Sequence, residues 1–384
     1  MTALRSARLR QALVTRLMTE GYVHDRRWAE AVGTVPREAF LGGAVFRATN
    51  TESGTLWTPL RRGDVSAEEW AELAYANQTW VTQVGGITAI EALQPIAGAP
   101  TSSSTLPGIV VRMLEIAQIA DGDSVLEIGT GTGYSTALLC RRLGDRAVTS
   151  IEYDPSVARQ AEEAISSAGY APTLVVGDGL AGYDENAEYD RLIATCSVRY
   201  VPAAWLWQVR DGGTITTPFW GWMNGSGLVH LTLADDGTAS GRFDPFGVAF
   251  MPARPHVAPP LSHYLIGRGE QRESRIDPNI LDDTTGLFVA QLGAPSAQRM
   301  GTGDETVLLD VATGSQATTR SDGAGGWTVR QHGPLRLWDQ VEQAVLTWQE
   351  AGRPPQSSFG LTITSDRQYV WLDDDGGPNW NLPA

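Results

Sequence analysis

The sequence predicts an α/β fold: a Rossmann-like parallel sheet with helices on both faces, preceded by a helical N-terminal region and followed by a C-terminal α+β appendage. Three observations predict it. Between residues 106 and 217 short apolar strand segments alternate with amphipathic helical ones, and strands that alternate with helices pair in parallel and need cover on each face. The first of those strands runs straight into closely spaced glycines with a helix behind them. After Arg254 the texture changes to short apolar stretches between Gly, Asp and Pro turns, with Pro252, Pro255, Pro259 and Pro260 marking the join. The chain is thereby divided into residues 1–100, 101–255 and 256–384.

In chain order, Leu9, Leu13, Leu17 and Met18 recur at helical spacing and predict an amphipathic helix that docks on later parts of the chain. Asp25 is placed to cap a second helix over 26–33. Residues 50–100, rich in Thr, Gly and Trp without a clear period, read as a loop-rich insertion with one helix near 67–76. Ile109, Met113, Ile116 and Ala117 give a helix face. The core then reads strand 124–128, helix 135–143, strand 147–151, helix 155–168, strands 173–176 and 189–195, helix 203–209 and strand 213–217. In the appendage, 306–311, 361–364 and 369–372 read as strands and 337–350 as an amphipathic helix. There is no internal repeat.

At 384 residues, 42 % apolar and 19 % charged, the chain is long enough for two or three packed cores, and whole-chain disorder is excluded. No apolar run approaches the ~20 residues that span a bilayer, and no apolar segment backs the arginines of residues 1–10, so a cytoplasmic protein without membrane partners is expected. Two cysteines, Cys140 and Cys196, cannot build a disulfide framework or a four-ligand zinc site. His24, His230, His256, His263 and His332 lack metal-ligand spacing and read as structural or surface residues, and no metal is expected. All 29 positive charges are arginines, which excludes a Schiff-base lysine, a phosphate-loop lysine and a lysine general base. A net charge of −15 argues against nucleic acid as a partner. The first 120 residues are neutral and the remainder acidic, so an acidic peptide would need local arginines such as Arg61, Arg62 or Arg199.

The chemistry concentrates at strand ends. Gly129, Gly131 and Gly133, interleaved with Thr130 and followed by Tyr134, are spaced G-x-G-x-G rather than G-x-G-x-x-G, which disfavours a nicotinamide dinucleotide. Glu127, inside the preceding strand, would repel a pyrophosphate but can hold a ligand's ammonium, directly or through water. Glu152 ends the second strand, where a carboxylate accepts from both ribose hydroxyls, and Tyr153 is placed to pack on adenine. After the third strand, Asp178 between Gly177 and Gly179 can meet the adenine amino group. Thr195 ends the fourth strand at the site mouth, followed by Cys196, read as a packing residue rather than a nucleophile. Cys140, on an apolar helix face, reads as core. A glycine loop and three acids at successive strand ends describe a pocket for S-adenosyl-L-methionine, with S-adenosyl-L-homocysteine as product, and so a class I SAM-dependent methyltransferase.

Over residues 8–220 the chain resembles the protein-L-isoaspartate O-methyltransferases. The resemblance rests on Val35-Pro36-Arg37-Glu38-Ala39-Phe40, the glycine loop, Gly177-Asp178-Gly179, the stretch 189–195 and the Asp211-Gly212-Gly213 turn. It places Thr105 where the family's active-site serine stands, and Gly108 where a histidine or aromatic residue often follows the proline. Residues 100–107, 77–83 and 193–199, with the long appendage, look more closely like the methyltransferases of ATP-grasp peptide maturase systems, which are found beside graspetide precursors. That resemblance implies O-methylation of an aspartate in a crosslinked ribosomal peptide, with Thr105 and Ser103 or Ser104 holding the carboxylate and the ester closing to an aspartimide. It also implies a crosslinked precursor peptide and an ATP-grasp ligase as partners. A general isoaspartate repair enzyme and a non-catalytic peptide-binding module are the competing readings. Trp327, Trp338, Trp348, Trp371 and Trp380 in the appendage suggest a peptide-binding wall or, equally, a stabilising cap.

Overall fold

A computed structural model describes residues 3–52, 54–261, 264–302 and 305–383; His263 lies outside the described residues. The chain forms two compact units, Met1–Thr195 with Ala203–Thr216, and Cys196–Pro202 with Thr217–Ala384. This differs from the three-part division at residues 100 and 255. The N-terminal helices pack into the first unit rather than apart from it, and the sheet of the second unit begins well before the proline-rich join.

The first unit opens with α1 (Ala3–Thr19) and α2 (Arg26–Thr34) packed on each other. Leu13 and Leu17 are buried, whereas Met18, expected on the same face, is exposed. Asp25 caps α2 by accepting from the Arg27 amide at 2.7 Å. Six strands come next, with α3 (Ala67–Tyr75) among them: β1 (Ala44–Thr51), β2 (Gly54–Arg61), β3 (Trp80–Val84), β4 (Ile87–Thr88), β5 (Ile96–Ala97) and β6 (Pro100–Ser104). Their order is β4-β3-β1-β2-β5, with β6 also on β3. This sheet stands where the sequence predicts a loop-rich insertion. β1 and β2 are largely exposed or half-buried, so no alternation marks them, and β6 is Pro-Thr-Ser-Ser-Ser, a strand only because β3 pairs with it.

The core continues as α4 (Pro107–Ile116), β7 (Val125–Ile128), α5 (Tyr134–Leu143), β8 (Val148–Glu152), α6 (Pro155–Ser167), β9 (Thr173–Val176), β10 (Tyr189–Ala194), α7 (Ala203–Gln208) and β11 (Val209–Trp220), the last belonging to this unit through Thr216. The strands pair in parallel in the order β11-β10-β7-β8-β9. Chain order reverses between β7 and β10, the switch point at which such sheets take ligands. The register sets Ile128 level with Ile151 and Ala194, so Gly129, Glu152 and Thr195 leave the sheet side by side. Cys140 is buried in α5, and burial pushes its thiol pKa up.

The second unit holds β12 (Ser226–Leu233), β13 (Ala239–Asp244), β14 (Glu270–Glu273), α8 (Thr284–Gly293), β15 (Gln298–Thr302), β16 (Glu305–Asp310), β17 (Ser315–Ser321), β18 (Trp327–His332), α9 (Leu337–Glu350), β19 (Phe359–Ile363), β20 (Gln368–Leu372) and β21 (Asn379–Asn381). Two antiparallel arrangements result, β12-β13-β19-β20-β21 and β14-β18-β17-β16-β15, with α8 against α9. Phe243, Phe288 and Phe359 meet edge to face in its core. Trp338, Trp348 and Trp371 are buried. These three indoles, expected as part of a peptide-binding wall or a cap, serve the unit's own packing. Among the described residues no helix is long and apolar enough to cross a membrane.

Candidate active site

The glycine loop is shaped by conformations that side chains resist. Gly129, Gly131 and Gly133 have φ of 96°, 55° and 86°, the left-handed region in which an L-residue is strained. The amides of Gly129 and Thr130 donate to Ile151 O at 2.8 and 3.1 Å, tying the loop to the end of β8. A Cβ on Gly133 would stand 2.8 Å from Ile165 Cγ1, so glycine also lets α5 start close against α6.

Glu152 Oε2 accepts from the Gly131 amide at 2.8 Å and Oε1 from the Asp154 amide at 3.0 Å. A carboxylate at the end of this strand is placed where ribose hydroxyls can reach it. Beyond it, Tyr153 and Val176 are exposed apolar side chains at the ends of neighbouring strands. Asp178, also exposed, caps the turn Gly179–Ala181 through the Leu180 amide at 3.0 Å. A Cβ on Gly179 would lie 2.4 Å from Ile128 Cγ2, which keeps that turn tight on β7. Thr195 Oγ1 donates to Gly129 O, joining β10 to the loop.

Glu127 is wholly buried beneath the loop. Its Oε2 accepts from Thr136 Oγ1 at 2.5 Å and Ser150 Oγ at 2.7 Å, and Ser150 Oγ lies 2.7 Å from Thr130 Oγ1. Burial raises its pKa, partly offset by the hydroxyls of Ser135, Thr136 and Ser150. Oε1 accepts nothing among the described residues. A buried acceptor left open calls for a ligand or water, and an ammonium is the group it fits best. Glycine cradle, open acceptor and strand-end carboxylate together fit an aminoacyl nucleoside such as S-adenosyl-L-methionine. Tyr134 does not join them: it is buried, tilted against Phe40 at 5.8 Å, with the Arg37 guanidinium 5.9 Å from its ring centre. Helix α5 turns its first side chain inward, so the sequence reading of Tyr134 as a cofactor contact is corrected.

The hydroxyl-bearing turn splits in two. Ser103 Oγ and Thr105 Oγ1 lie 3.5 Å apart, whereas Ser104, one residue between them on an extended strand, is buried against Arg37. Ser104 therefore cannot work beside the other two. Ser103 O lies 3.8 Å from where a Cβ on Gly131 would be, so this turn abuts the glycine loop. Nearby, a solvent-open cleft of about 530 Å³ is lined by Phe40, Gln83, Ser102, Gly131, Thr132 and Gln160, among others.

Three braces hold the turn. Arg37, fully buried, donates to the carbonyls of Ala74, Ala76, Gln78, Ser104 and Thr105 at 2.8, 2.9, 2.8, 3.1 and 3.1 Å. Burial lowers its pKa to about 10. Thr79 Oγ1 accepts from the Leu106 amide at 3.1 Å, and Asn77 Oδ1 from the Gly108 amide at 2.9 Å. A Cβ on Gly108 would meet the Tyr22 ring at 2.8 Å, so Tyr22 fills the space a larger residue would need. The segments of Arg37, Asn77 and Thr79 stand out in the sequence by resemblance alone, without this role. The available signal was an Arg–Glu pair set between Val35-Pro36 and Ala39-Phe40. Among the described residues no group of three or more His, Cys, Asp or Glu could hold a metal ion.

The family profile for protein-L-isoaspartate(D-aspartate) O-methyltransferase matches residues 65–253. The chain is 32 % identical over 211 residues to the protein-L-isoaspartate O-methyltransferase of Ignicoccus hospitalis, aligning 54 % of this chain with 81 % of that protein. To the enzyme of the same name from Methanococcus maripaludis it is 40 % identical over 208 residues, 54 % of this chain and 79 % of that one. A solved structure of a protein-L-isoaspartate O-methyltransferase shares the fold with a TM-score of 0.54 at 18 % identity, over 95 % of this chain and all of the other.

Proposed function

Since the chain belongs to the protein-L-isoaspartate O-methyltransferase family, we propose that it methylates an aspartate side-chain carboxylate in a crosslinked, ribosomally made peptide. It is an S-adenosyl-L-methionine-dependent carboxyl O-methyltransferase. When bound, that donor supplies an electrophilic methyl group on a sulfonium. The loop Gly129–Gly131–Gly133 and Glu152 would hold its ribose side, Glu127 Oε1 its ammonium, and Tyr153, Val176 and Asp178 its base.

The acceptor is already ionised at neutral pH, so no general base is required and the protein's task is alignment. Orientation of this kind can be worth roughly 7–11 kcal/mol in favourable cases. The observation that carries the reading is the Ser103–Thr105 hydroxyl pair set against Gly131, with the turn clamped by Arg37. Both hydroxyls can donate to a carboxylate presented there. A carbon–oxygen bond forms as the sulfur–carbon bond breaks. The next backbone nitrogen of the peptide can then attack the ester, its proton leaving with methoxide as methanol, to give an aspartimide.

A crosslinked substrate is supported by two departures from the pattern that the family resemblance implies. Thr105 carries an extra methyl group, and Gly108 with Tyr22 replaces the side chain that commonly follows the proline. The precursor would come from an ATP-grasp ligase of the same pathway. Repair of spontaneous isoaspartate is the second reading, favoured by the names of the relatives. Mass spectrometry after incubation with donor separates the two. The crosslinked precursor should gain one methyl group and then lose methanol, while a short isoaspartyl peptide stays largely unmodified; the reverse pattern establishes the repair reading.

A further inference from the structure

Two arginines among the described residues are pushed down to a pKa of about 10 by burial, Arg37 and Arg199. Neither has a carboxylate in ion-pair reach among those residues. Their hydrogen-bond accounts are opposite. Arg37 spends its guanidinium on five carbonyls within the fold. Arg199 places one bond, from Nη2 to Pro295 O at 2.9 Å, and its Nε–H and Nη1–H groups meet no acceptor among the described residues.

The Arg199 guanidinium is nevertheless held rigidly. Its central carbon lies 3.4 Å from the centre of the Trp222 ring. The Trp222 indole N–H donates to His256 O at 3.0 Å, and the Arg199 amide donates to His256 Nδ1 at 3.1 Å. The His256 ring, itself buried, packs on Tyr200 at 4.5 Å. A ring face thus covers the guanidinium and one Nη2 hydrogen is tied, leaving the second Nη2 hydrogen and the N–H beside it as an open pair of donors.

Partly burying a cation with no carboxylate beside it carries a cost. The chain had acids to spare, 44 against 29 arginines, and it supplies them elsewhere: the sheltered side chains of Arg142, Arg191 and Arg10 face Asp25, Asp123 and Glu38. A stacked guanidinium with a free edge is the arrangement that takes a carboxylate in two parallel bonds. We propose that Arg199, braced by Trp222 and Pro295, is a carboxylate-binding site that takes an acidic side chain of the proposed peptide substrate. The inference rests on the proposed peptide substrate and adds that an acidic side chain contributes to its binding.

The test uses the full chain saturated with S-adenosyl-L-homocysteine. Its probes are two synthetic macrocyclic peptides closed by a threonine–aspartate ester, one with two glutamates outside the ring and one with glutamines there. Calorimetry should show the glutamate peptide binding about tenfold tighter to the wild type. Arg199→Gln should erase that difference and leave affinity for the nucleoside unchanged, and Arg199→Lys should restore part of it. Equal affinity of the two peptides for the wild type overturns the site. So does an Arg199→Gln chain that weakens both peptides equally while its melting temperature falls, since that describes a structural brace. Methyl transfer measured in parallel keeps the two ideas apart. A glutamate preference without methylation sustains the site and sinks the proposed reaction, and methylation without the preference does the opposite.

Discussion

Thr105 and Ser104 are chain neighbours with opposite duties, and the difference is set by which way an extended backbone points each hydroxyl. Thr105→Val keeps the shape and removes the donor, so turnover should fall by on the order of 10² to 10³ in steady-state methyl release while calorimetric affinity for S-adenosyl-L-homocysteine holds. Glu127 carries a second test. Its folded pKa lies above the ordinary value of 4.5, so the folded state retains a proton that the unfolded chain gives up, and stability falls as pH rises from 4.5 through the raised value. Glu127→Gln removes that titration. In urea unfolding the variant should gain on the wild type as pH rises above the ordinary carboxyl value of 4.5, while its affinity for the nucleoside drops. Glycines and strand-end acids were legible in the sequence because their chemistry depends on neighbours one or two residues away. The parting of Ser103 from Ser104 was not, because it requires knowing that an all-polar segment is a strand. Arg37 was not either, since its acceptors are backbone carbonyls, which no sequence displays.

At the level of elements, the central strands and helices were legible to within about two residues at nearly every end, β11 excepted, because buried strands between amphipathic helices have contrasting periods. The same logic explains the omissions. α8 is short and has few polar residues, Thr284, Thr285 and Gln291, so it shows no clear period, while α9, packed against it, is amphipathic and was found over its full length. β4 and β5 are two residues long and exist only as partners of longer strands. The glycine loop offers a graded prediction. Gly131→Ala and Gly133→Ala both place an alanine at positive φ, which costs roughly 1–2 kcal/mol. At Gly131 the nearest atom to the new Cβ is Ser103 O at 3.8 Å, whereas at Gly133 it is Ile165 Cγ1 at 2.8 Å. Chemical denaturation should therefore show the second variant clearly less stable, and nucleoside binding should be measurable in the first.

For the whole chain, net charge was legible and unit boundaries were not. The proline-rich join suggested a break near residue 255, yet β13 pairs with β19, more than a hundred residues later, and that pairing is invisible to composition. A chain of charge −15 repels an acidic peptide at long range even while a local arginine holds it. Adding salt should therefore speed the encounter with the glutamate-bearing macrocycle, raising kcat/KM by a few fold between roughly 10 and 150 mM ionic strength, and leave the glutamine version nearly unaffected. The division into units also has a consequence for how the protein is made. Residues Cys196–Pro202 belong to the second unit although first-unit residues flank them on both sides. Val201 exchanges bonds at 2.9 and 2.6 Å with Gln368, 167 positions downstream. On the ribosome, Val201 waits for this partner until nearly the entire message has been read. A transcript broken after residue 216 would accordingly leave Cys196–Pro202 without the second-unit residues that hold it, His256, Pro295 and Gln368.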